Sequence, residues 1–531
     1  MSTGFTELKR AWFWGWRTPR VLGGWLLLVG ALGSLRWLGR FPGWQPLTVV
    51  LSLFTLIWAG RQWWCLLQAW CPELSVAWRP RRHWRAWTGL VIGGGILALP
   101  WGLWGLSSRF WVRLPMDAHV VNWVTLNRRP FLVVAALIYL GILGWGLLWG
   151  PQHLRITPRN RRGTPLQMLA AVGVQVGLLA VWLLMSGGII WGNYWLDQRA
   201  TLLTIRWVTA GSLLLILLGF TVASLLGSTT LAWSWVGQPK LAASIKKDNH
   251  YRWWTLSLGV VWLVVSGAVV MQTMTSPRLG ATTLISHRGV DHHRGVQNTL
   301  GALRAVHAEH PQYVEMDLHE TQDHQWVVLH DESLQALTGR DVRPAQRPLR
   351  ALVGLPLHEQ GQTGRLVSWQ RYLKVAEDLH QPLLVELKTT PQDSPGMAAR
   401  FARQYGKRLR RDGSAVHSLD YRVVATLRQR CPQLRTGYIT PFNWVDPRSV
   451  PADFYSFQRL SVSDQFILAA HQQHATAYLW TPDQPLAMTT LWALGADGQI
   501  TNELAELRRV VRQRPQQAYW AILWNFTLSY I

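Results

Sequence analysis

Cysteine is scarce, with three in 531 residues. Cys65 and Cys71 fall in or beside an apolar run and Cys431 stands alone, so neither a disulfide framework nor a zinc-finger spacing can be assembled. Charge is scarce as well: charged residues are 15% of the chain, against about 25% in an ordinary soluble protein. Acidic residues are the minority among them, 28 against 53 basic ones, for a formal net charge of +25. Long stretches before about Gln272 carry almost no charge, whereas the part that follows has the composition of a soluble domain. The first apolar segment lacks a small-residue cleavage site and others follow it, which argues against a removable signal peptide. No internal repeat is evident.

Tryptophan, by contrast, is abundant, with 35 in the chain. Many lie near the ends of apolar runs, as Trp12, Trp14, Trp16, Trp63, Trp64, Trp253 and Trp254 do. Indole rings favour the boundary between water and hydrocarbon. About seven apolar runs approach the roughly 20 residues a membrane-spanning helix needs, at 20–38, 46–64, 86–106, 130–150, 166–190, 206–228 and 253–271. Basic residues cluster at the N-terminus (Lys9, Arg10, Arg17, Arg20) and after the second, fourth and sixth runs, where Arg79, Arg155 and Lys240 begin the clusters. The loop after the third run breaks this alternation with Arg109, Arg113, Arg128 and Arg129. The positive-inside rule sets the N-terminus in the cytoplasm, and seven crossings then leave everything after Met271 outside it. The excess positive charge is thus expected to serve orientation and anionic lipid, with a phospholipid membrane and not nucleic acid as the partner. Spans nearly free of acidic groups give no sign of transport. A single anchor needs one helix, so about seven leave room for another role such as homo-oligomerisation through the membrane domain.

From Ala281 the pattern changes. Expected strands are Thr283–Ser286, Tyr313–Asp317, Trp326–His330, Leu383–Leu387, Ala415–Ser418, Arg435–Ile439, Ala477–Trp480 and Gln499–Thr501. Amphipathic stretches such as Thr299–Glu309, Trp369–Leu379, Pro395–Arg411, Tyr421–Arg430 and Pro485–Leu494 separate many of them. Strands alternating with helices at eight repeats predict a closed parallel barrel, a TIM-barrel (β/α)8 domain. The region Gln335–Val367 fits neither pattern and reads as an insertion. The expected division is a multi-pass α-helical membrane domain over 1–275, the barrel over 281–510 and a C-terminal tail over 511–531.

The chemistry gathers at strand ends. His287-Arg288-Gly289 follows the first strand, Glu315 and Asp317 lie two apart on the second, His330-Asp331 closes the third, and Glu386 and Lys388 lie two apart on the fourth. Residues two apart on a strand share a face, and a barrel of this kind collects such ends on one rim. Carboxylates with water suit a hard divalent cation such as Ca2+ or Mg2+. Cations neutralise charge developing on phosphoryl oxygens, and two imidazoles can take one proton and deliver another. His319 continues the alternation from Glu315 and Asp317 and is a candidate for substrate contact, as are Trp480 and Gln297. The polar loop after the first motif, with His292, reads as solvated.

At this point the chain resembles the glycerophosphodiester phosphodiesterase family, in its membrane-anchored bacterial form. The resemblance rests on Ser-His-Arg-Gly at 286–289, Asn298-Thr299, Glu315-Met-Asp317, Val327-Val-Leu-His-Asp331 and Val385-Glu-Leu-Lys388, in that order. His417-Ser-Leu-Asp420 resembles the family's serine-containing fifth strand, and Leu479-Trp480-Thr481 and Gly495 to Thr501 its closing strands. It covers about 281–507 and implies hydrolysis of glycerophosphodiesters (headgroup diesters, lysophospholipids or glycerol-phosphate polymers) to glycerol phosphate and an alcohol at the outer membrane surface. It further implies His287 and His330 as the acid and base, Glu315, Asp317 and Glu386 as ligands of one divalent cation, and Arg288 and Lys388 on the phosphate. Two positions depart from the family: Gln297 stands where glutamate is usual before Asn-Thr, and Asn502 where aspartate commonly ends the last strand. The neutral Gln297 supports one alternative, a catalytically silent barrel acting as a lipid-sensing or assembly module, against which the intact histidines speak.

Overall fold

A computed structural model describes residues 47, 50–51, 54, 116–148, 165–236, 250–275, 282–292, 294–441, 446–459, 464–513 and 518–528. They belong to two compact units. The long described helices of the first are Arg128–Leu148, Pro165–Asp197, Leu202–Val236 and His250–Thr275. These cover the runs expected at 130–150, 166–190, 206–228 and 253–271. The runs at 20–38 and 86–106 lie outside the described residues, and 46–64 does so apart from Leu47, Val50, Leu51 and Phe54. Two stretches, Leu169–Asp197 and Leu202–Gly227, are long and apolar enough to cross a membrane, each with a mean hydropathy of 2.1. Leu184, Trp191 and Trp207 turn their side chains outward and are more than 70% exposed. Polar groups instead face the neighbouring helix: Asn193 Nδ2 donates to Ser212 Oγ (2.8 Å), Thr209 Oγ1 to Asn193 Oδ1 (3.2 Å) and Trp182 Nε1 to the Ile216 carbonyl (3.0 Å). Apolar outside and hydrogen-bonded inside is the arrangement that suits lipid. The tail expected over 511–531 is partly structured. Helix Tyr519–Leu528 belongs to this unit, burying Trp520, Leu523 and Phe526, with Tyr194 edge-on to Trp520 at 5.6 Å.

The second unit takes in Pro115–Arg128 and Pro277–Ala518. Its strands are β1 (Thr283–Ser286), β2 (Tyr313–Glu320), β3 (Trp326–Val328), β4 (Pro356–Glu359), β5 (Gln362–Arg365), β6 (Leu383–Leu387), β7 (Ala415–Ser418), β8 (Thr436–Thr440), β9 (Phe454–Gln458), β10 (Thr476–Trp480) and β11 (Gly498–Thr501). Parallel pairing runs β1-β2-β6-β7-β8-β9-β10-β11 and returns to β1, so eight strands close the expected barrel. Side chains alternate across the wall. Ile285, Leu384, Ala415, Phe454, Tyr478 and Ile500 fill the interior, while Leu284, Val314, Met316, Leu318, Val385, Leu387 and Val416 face the surrounding helices. Gly437 on β8 makes room for one interior ring, because a Cβ there would run into Phe454.

The expected third strand, Trp326–His330, is not part of the barrel. β3 pairs antiparallel with the end of β2, Leu318 opposite Val328. β2 is eight residues long and overruns the rim, and a turn held by Thr321 Oγ1, which accepts from Gln325 N (3.1 Å), sends the chain back. Alternating apolar residues read alike in a parallel barrel strand and in one arm of a hairpin, so periodicity cannot separate them. The eighth barrel strand is instead β9, absent from the sequence reading. The insertion 335–367 holds three single helical turns and the β4–β5 hairpin, packed around Leu334, Leu352, Leu357 and Leu366.

The expected division also assigned 115–128 to the membrane domain. Helix Ala118–Leu126, N-capped by Asp117, packs on the barrel instead. Buried Asn122 donates through Nδ2 to Asp420 Oδ1 (3.0 Å) and accepts at Oδ1 from Tyr421 N (2.7 Å). Tyr438 donates its hydroxyl to Thr125 Oγ1 (3.0 Å).

Candidate active site

β1 ends in a tight turn in which Arg288 and Gly289 both have left-handed backbone, φ +54° and +72°. Gly289 adopts this without steric cost, and the turn aims His287 and Arg288 across the barrel mouth. The Arg288 amide donates to Glu315 Oε2 (2.9 Å), Nη1 to Gln297 Oε1 (2.6 Å), and Nε lies 3.7 Å from Asp317 Oδ2. Asn298 clamps Asp317 from both ends: Nδ2 donates to Asp317 Oδ2 (2.9 Å), and Oδ1 accepts from the Asp317 amide (3.2 Å). Lys388 Nζ lies 3.0 Å from Asp317 Oδ1 and 2.7 Å from Glu386 Oε1. In the β2–β6–β7 ladder, Asp317 is in register with Glu386, and Glu386 with His417. The fold thus sets two carboxylates and an imidazole side by side on the inner wall.

His287 is held in one tautomer. Asn502 donates through Nδ2 to Asp483 Oδ2 (2.9 Å) and through its backbone amide to Asp483 Oδ1 (2.9 Å). With its NH2 on a carboxylate, the Asn502 side chain turns Oδ1 toward His287 Nδ1, 2.8 Å away. An oxygen there can only accept, so Nδ1 carries the proton and Nε2 keeps its lone pair. Burial and the charge on Arg288 push His287 down to about 4, so it is neutral at physiological pH. His330 reaches the same rim from the β2–β3 hairpin, close enough for its charge to act on both His287 and Asp317. Its Nδ1 lies 2.6 Å from Asp331 Oδ1. Burial and Lys388 lower its pKa, and Asp331 opposes them.

The carboxylates shift in opposite directions. Burial raises Glu315 well above the usual range, and Asp317 and Glu386 raise it further; burial also raises Glu386. Asp317 moves the other way: burial opposes its charge, but Lys388, His330 and Arg288 together hold it well below the ordinary carboxylate range. Three acidic groups against two fixed cations leave the cluster short of positive charge. Oxygens of Glu315 and Glu386 and a ring nitrogen of His417 all lie within 4.8 Å of one another. The donor set therefore fits a divalent cation.

The remaining candidates fall as follows. His319 is buried, and its Nε2 lies 3.1 Å from the His330 carbonyl, so it supports the segment carrying His330. Trp480 is half-buried, packs against the interior cluster and leaves Nε1 without a hydrogen-bond partner. Gln297 is backed by a carboxylate from the insertion, since Glu359 accepts from its backbone amide (2.9 Å) and from its side-chain Nε2. Glu359, and Ser456, whose Oγ lies 2.9 Å from His417 Nδ1, carried no signal in the sequence. One lies in the stretch read as an insertion and the other on the missed strand. His417 was legible only as part of a serine-containing strand, although its spacing from Ala415 gives the inward parity.

Residues 287–506 match the model of the Glycerophosphoryl diester phosphodiesterase family. A glycerophosphodiester phosphodiesterase of Caldanaerobacter subterraneus subsp. tengcongensis is 20% identical over 240 residues, 44% of this chain and 98% of that one. Among solved structures, a glycerophosphodiester phosphodiesterase from Parabacteroides distasonis is 21% identical, with 44% of this chain and 99% of that chain covered and a TM-score of 0.39. A phosphodiesterase of Oleispira antarctica, in complex with the product sn-glycerol-3-phosphate, is 17% identical, with 44% and 97% covered and a TM-score of 0.39. The family match over 287–506 bears out, for the barrel, the resemblance read from the motifs.

Proposed function

We propose that this chain, whose barrel is a member of the glycerophosphoryl diester phosphodiesterase family, hydrolyses glycerophosphodiesters to glycerol phosphate and an alcohol at the outer surface of a membrane. The observation that carries the mechanism is the tautomer of His287. A neutral imidazole with its lone pair at the barrel mouth is a general base. His287 Nε2 takes the proton of the attacking hydroxyl, whether water or a neighbouring hydroxyl of the glycerol. His330, with Nδ1 on the Asp331 carboxylate, gives the proton that the leaving alkoxide needs as the P–O bond breaks. Arg288 and Lys388 bind the non-bridging phosphoryl oxygens and offset the charge that grows there. Asn298 holds Asp317 charged and in place, so Lys388 stays protonated beside it. Glu315, Asp317 and Glu386 would hold a divalent cation, which supplies further charge neutralisation at the phosphoryl group. Judged by the carboxylates alone, that cation is Ca2+ or Mg2+.

The helical unit is read as a multi-pass membrane anchor. Pro115–Arg128 packs with the barrel, and four long helices separate it from Pro277. An even number of crossings returns the chain to the side it left. This agrees with the loop after the third run and the barrel both lying outside the cytoplasm, and it accounts for a basic loop on the side where the charge rule expects few. A membrane tether favours substrates at the lipid surface. The test is a substrate panel on the purified full-length protein in detergent, with glycerol phosphate release measured before and after chelation. Release that stops on chelation and returns with a divalent cation is expected. No release from any glycerophosphodiester under any cation would overturn the reading.

A further inference from the structure

The close cluster takes its oxygen donors from Glu315 and Glu386, and its third member is His417, to which the mechanism gives no role. This histidine is 2% exposed and sits on β7 beside Glu386 in register, on the inward face. Its ring is held on two sides: Nδ1 lies 2.9 Å from Ser456 Oγ on β9, and the Phe454 ring lies 5.9 Å away, centroid to centroid. Its other nitrogen, Nε2, has no hydrogen-bond partner. A ring nitrogen of His417 is within 4.8 Å of carboxylate oxygens of both Glu315 and Glu386. Ser456 Oγ can accept from Nδ1 or donate to it, so the Nε2 position is open to present a lone pair to a cation among these oxygens. A ring nitrogen and carboxylate oxygens converging on one buried point form the donor set of a divalent cation. A buried polar atom without a partner also carries a desolvation cost that an apolar residue would avoid.

We propose that His417 is a nitrogen ligand of the cation, oriented by Ser456, and that the site therefore takes a first-row transition ion such as Mn2+ or Co2+ in preference to Ca2+ or Mg2+. This rests on the reading of the acidic cluster as a metal site and deepens it. Ca2+ and Mg2+ bind all-oxygen shells, Mg2+ with reluctance to shed water. Imidazole beside carboxylate shifts preference toward borderline ions. The serine hydroxyl on Nδ1 is an outer partner that orients the ring of a ligating histidine.

The test uses the full-length protein in detergent, stripped of metal and reloaded with Mn2+. Pulsed EPR is expected to detect a nitrogen nucleus coupled to the bound Mn2+, and competition to show Mn2+ displacing Mg2+. His417→Gln should abolish that nitrogen coupling and reduce the Mn2+ over Mg2+ preference by about tenfold or more. Ser456→Ala, which keeps the ligand, should retain the nitrogen coupling and weaken Mn2+ binding by about tenfold. Bound Mn2+ with oxygen ligands alone, or an unchanged preference in His417→Gln, overturns the inference and leaves the proposed hydrolysis standing. Failure of the wild-type protein to bind any divalent cation overturns both the inference and the metal site on which it rests. Should His417→Gln not fold, the wild-type spectrum and Ser456→Ala decide between the same outcomes.

Discussion

The base assignment can be tested by moving one charge. Asn502 joins His287 to Asp483, and exchanging the two partners, Asn502→Asp with Asp483→Asn, keeps every hydrogen bond while placing the carboxylate on the histidine. In the native arrangement, burial and Arg288 hold His287 at about 4. A carboxylate on Nδ1 favours the imidazolium and brings the group back toward the ordinary histidine value of about 6.5. The sign follows: a base with a raised pKa is protonated, and so inactive, up to a higher pH. At pH 5, a group with a pKa of about 4 is about nine-tenths unprotonated, whereas one at the ordinary value is only about 3% so. The exchange should therefore lower kcat/KM at pH 5 by up to about 30-fold and leave it within about twofold at pH 8, where both forms are free base. The assay is kcat/KM for a soluble glycerophosphodiester from pH 4.5 to 9 in both proteins. An acid limb at the same pH in both, or an equal loss at every pH, would refute the assignment of His287 as base through the Asn502 contact.

Three further outcomes are expected. His330→Ala should cut turnover by about 10²- to 10⁴-fold with an unchanged melting temperature, measured by product release and circular dichroism. Gln297→Glu, which restores the family's usual residue, should destabilise the protein by about 1–3 kcal/mol because it sets a second carboxylate against Glu359; adding Glu359→Gln should recover the loss in a thermal melt. Asn122→Ala removes two hydrogen bonds, one buried and one part-buried, between helix Ala118–Leu126 and the start of helix Tyr421–Arg430. It should cost about 1–3 kcal/mol and speed hydrogen exchange at the Tyr421 amide, while unchanged exchange would show that this helix does not hold the barrel.

The sequence by itself determined the barrel, the order of its motifs and the four long helices before it. It did so through local signals, since an apolar residue every second position, a histidine before Arg-Gly or an uncharged run of 20 depends only on near neighbours in the chain. Those signals mark what a segment is, not what it meets. Trp326–Val328 and Phe454–Gln458 are both short apolar stretches, and only pairing decided that the first folds back on β2 while the second completes the wall. Glu359 behind Gln297, Asn502 turned by Asp483 toward His287, and helix Ala118–Leu126 on Asp420 join residues 19 to 298 positions apart. His417 is the sharpest case. Its parity was readable from Ala415, but its unpartnered nitrogen became visible only once three strands lay in register, because what a ring nitrogen meets is decided by residues from elsewhere in the chain.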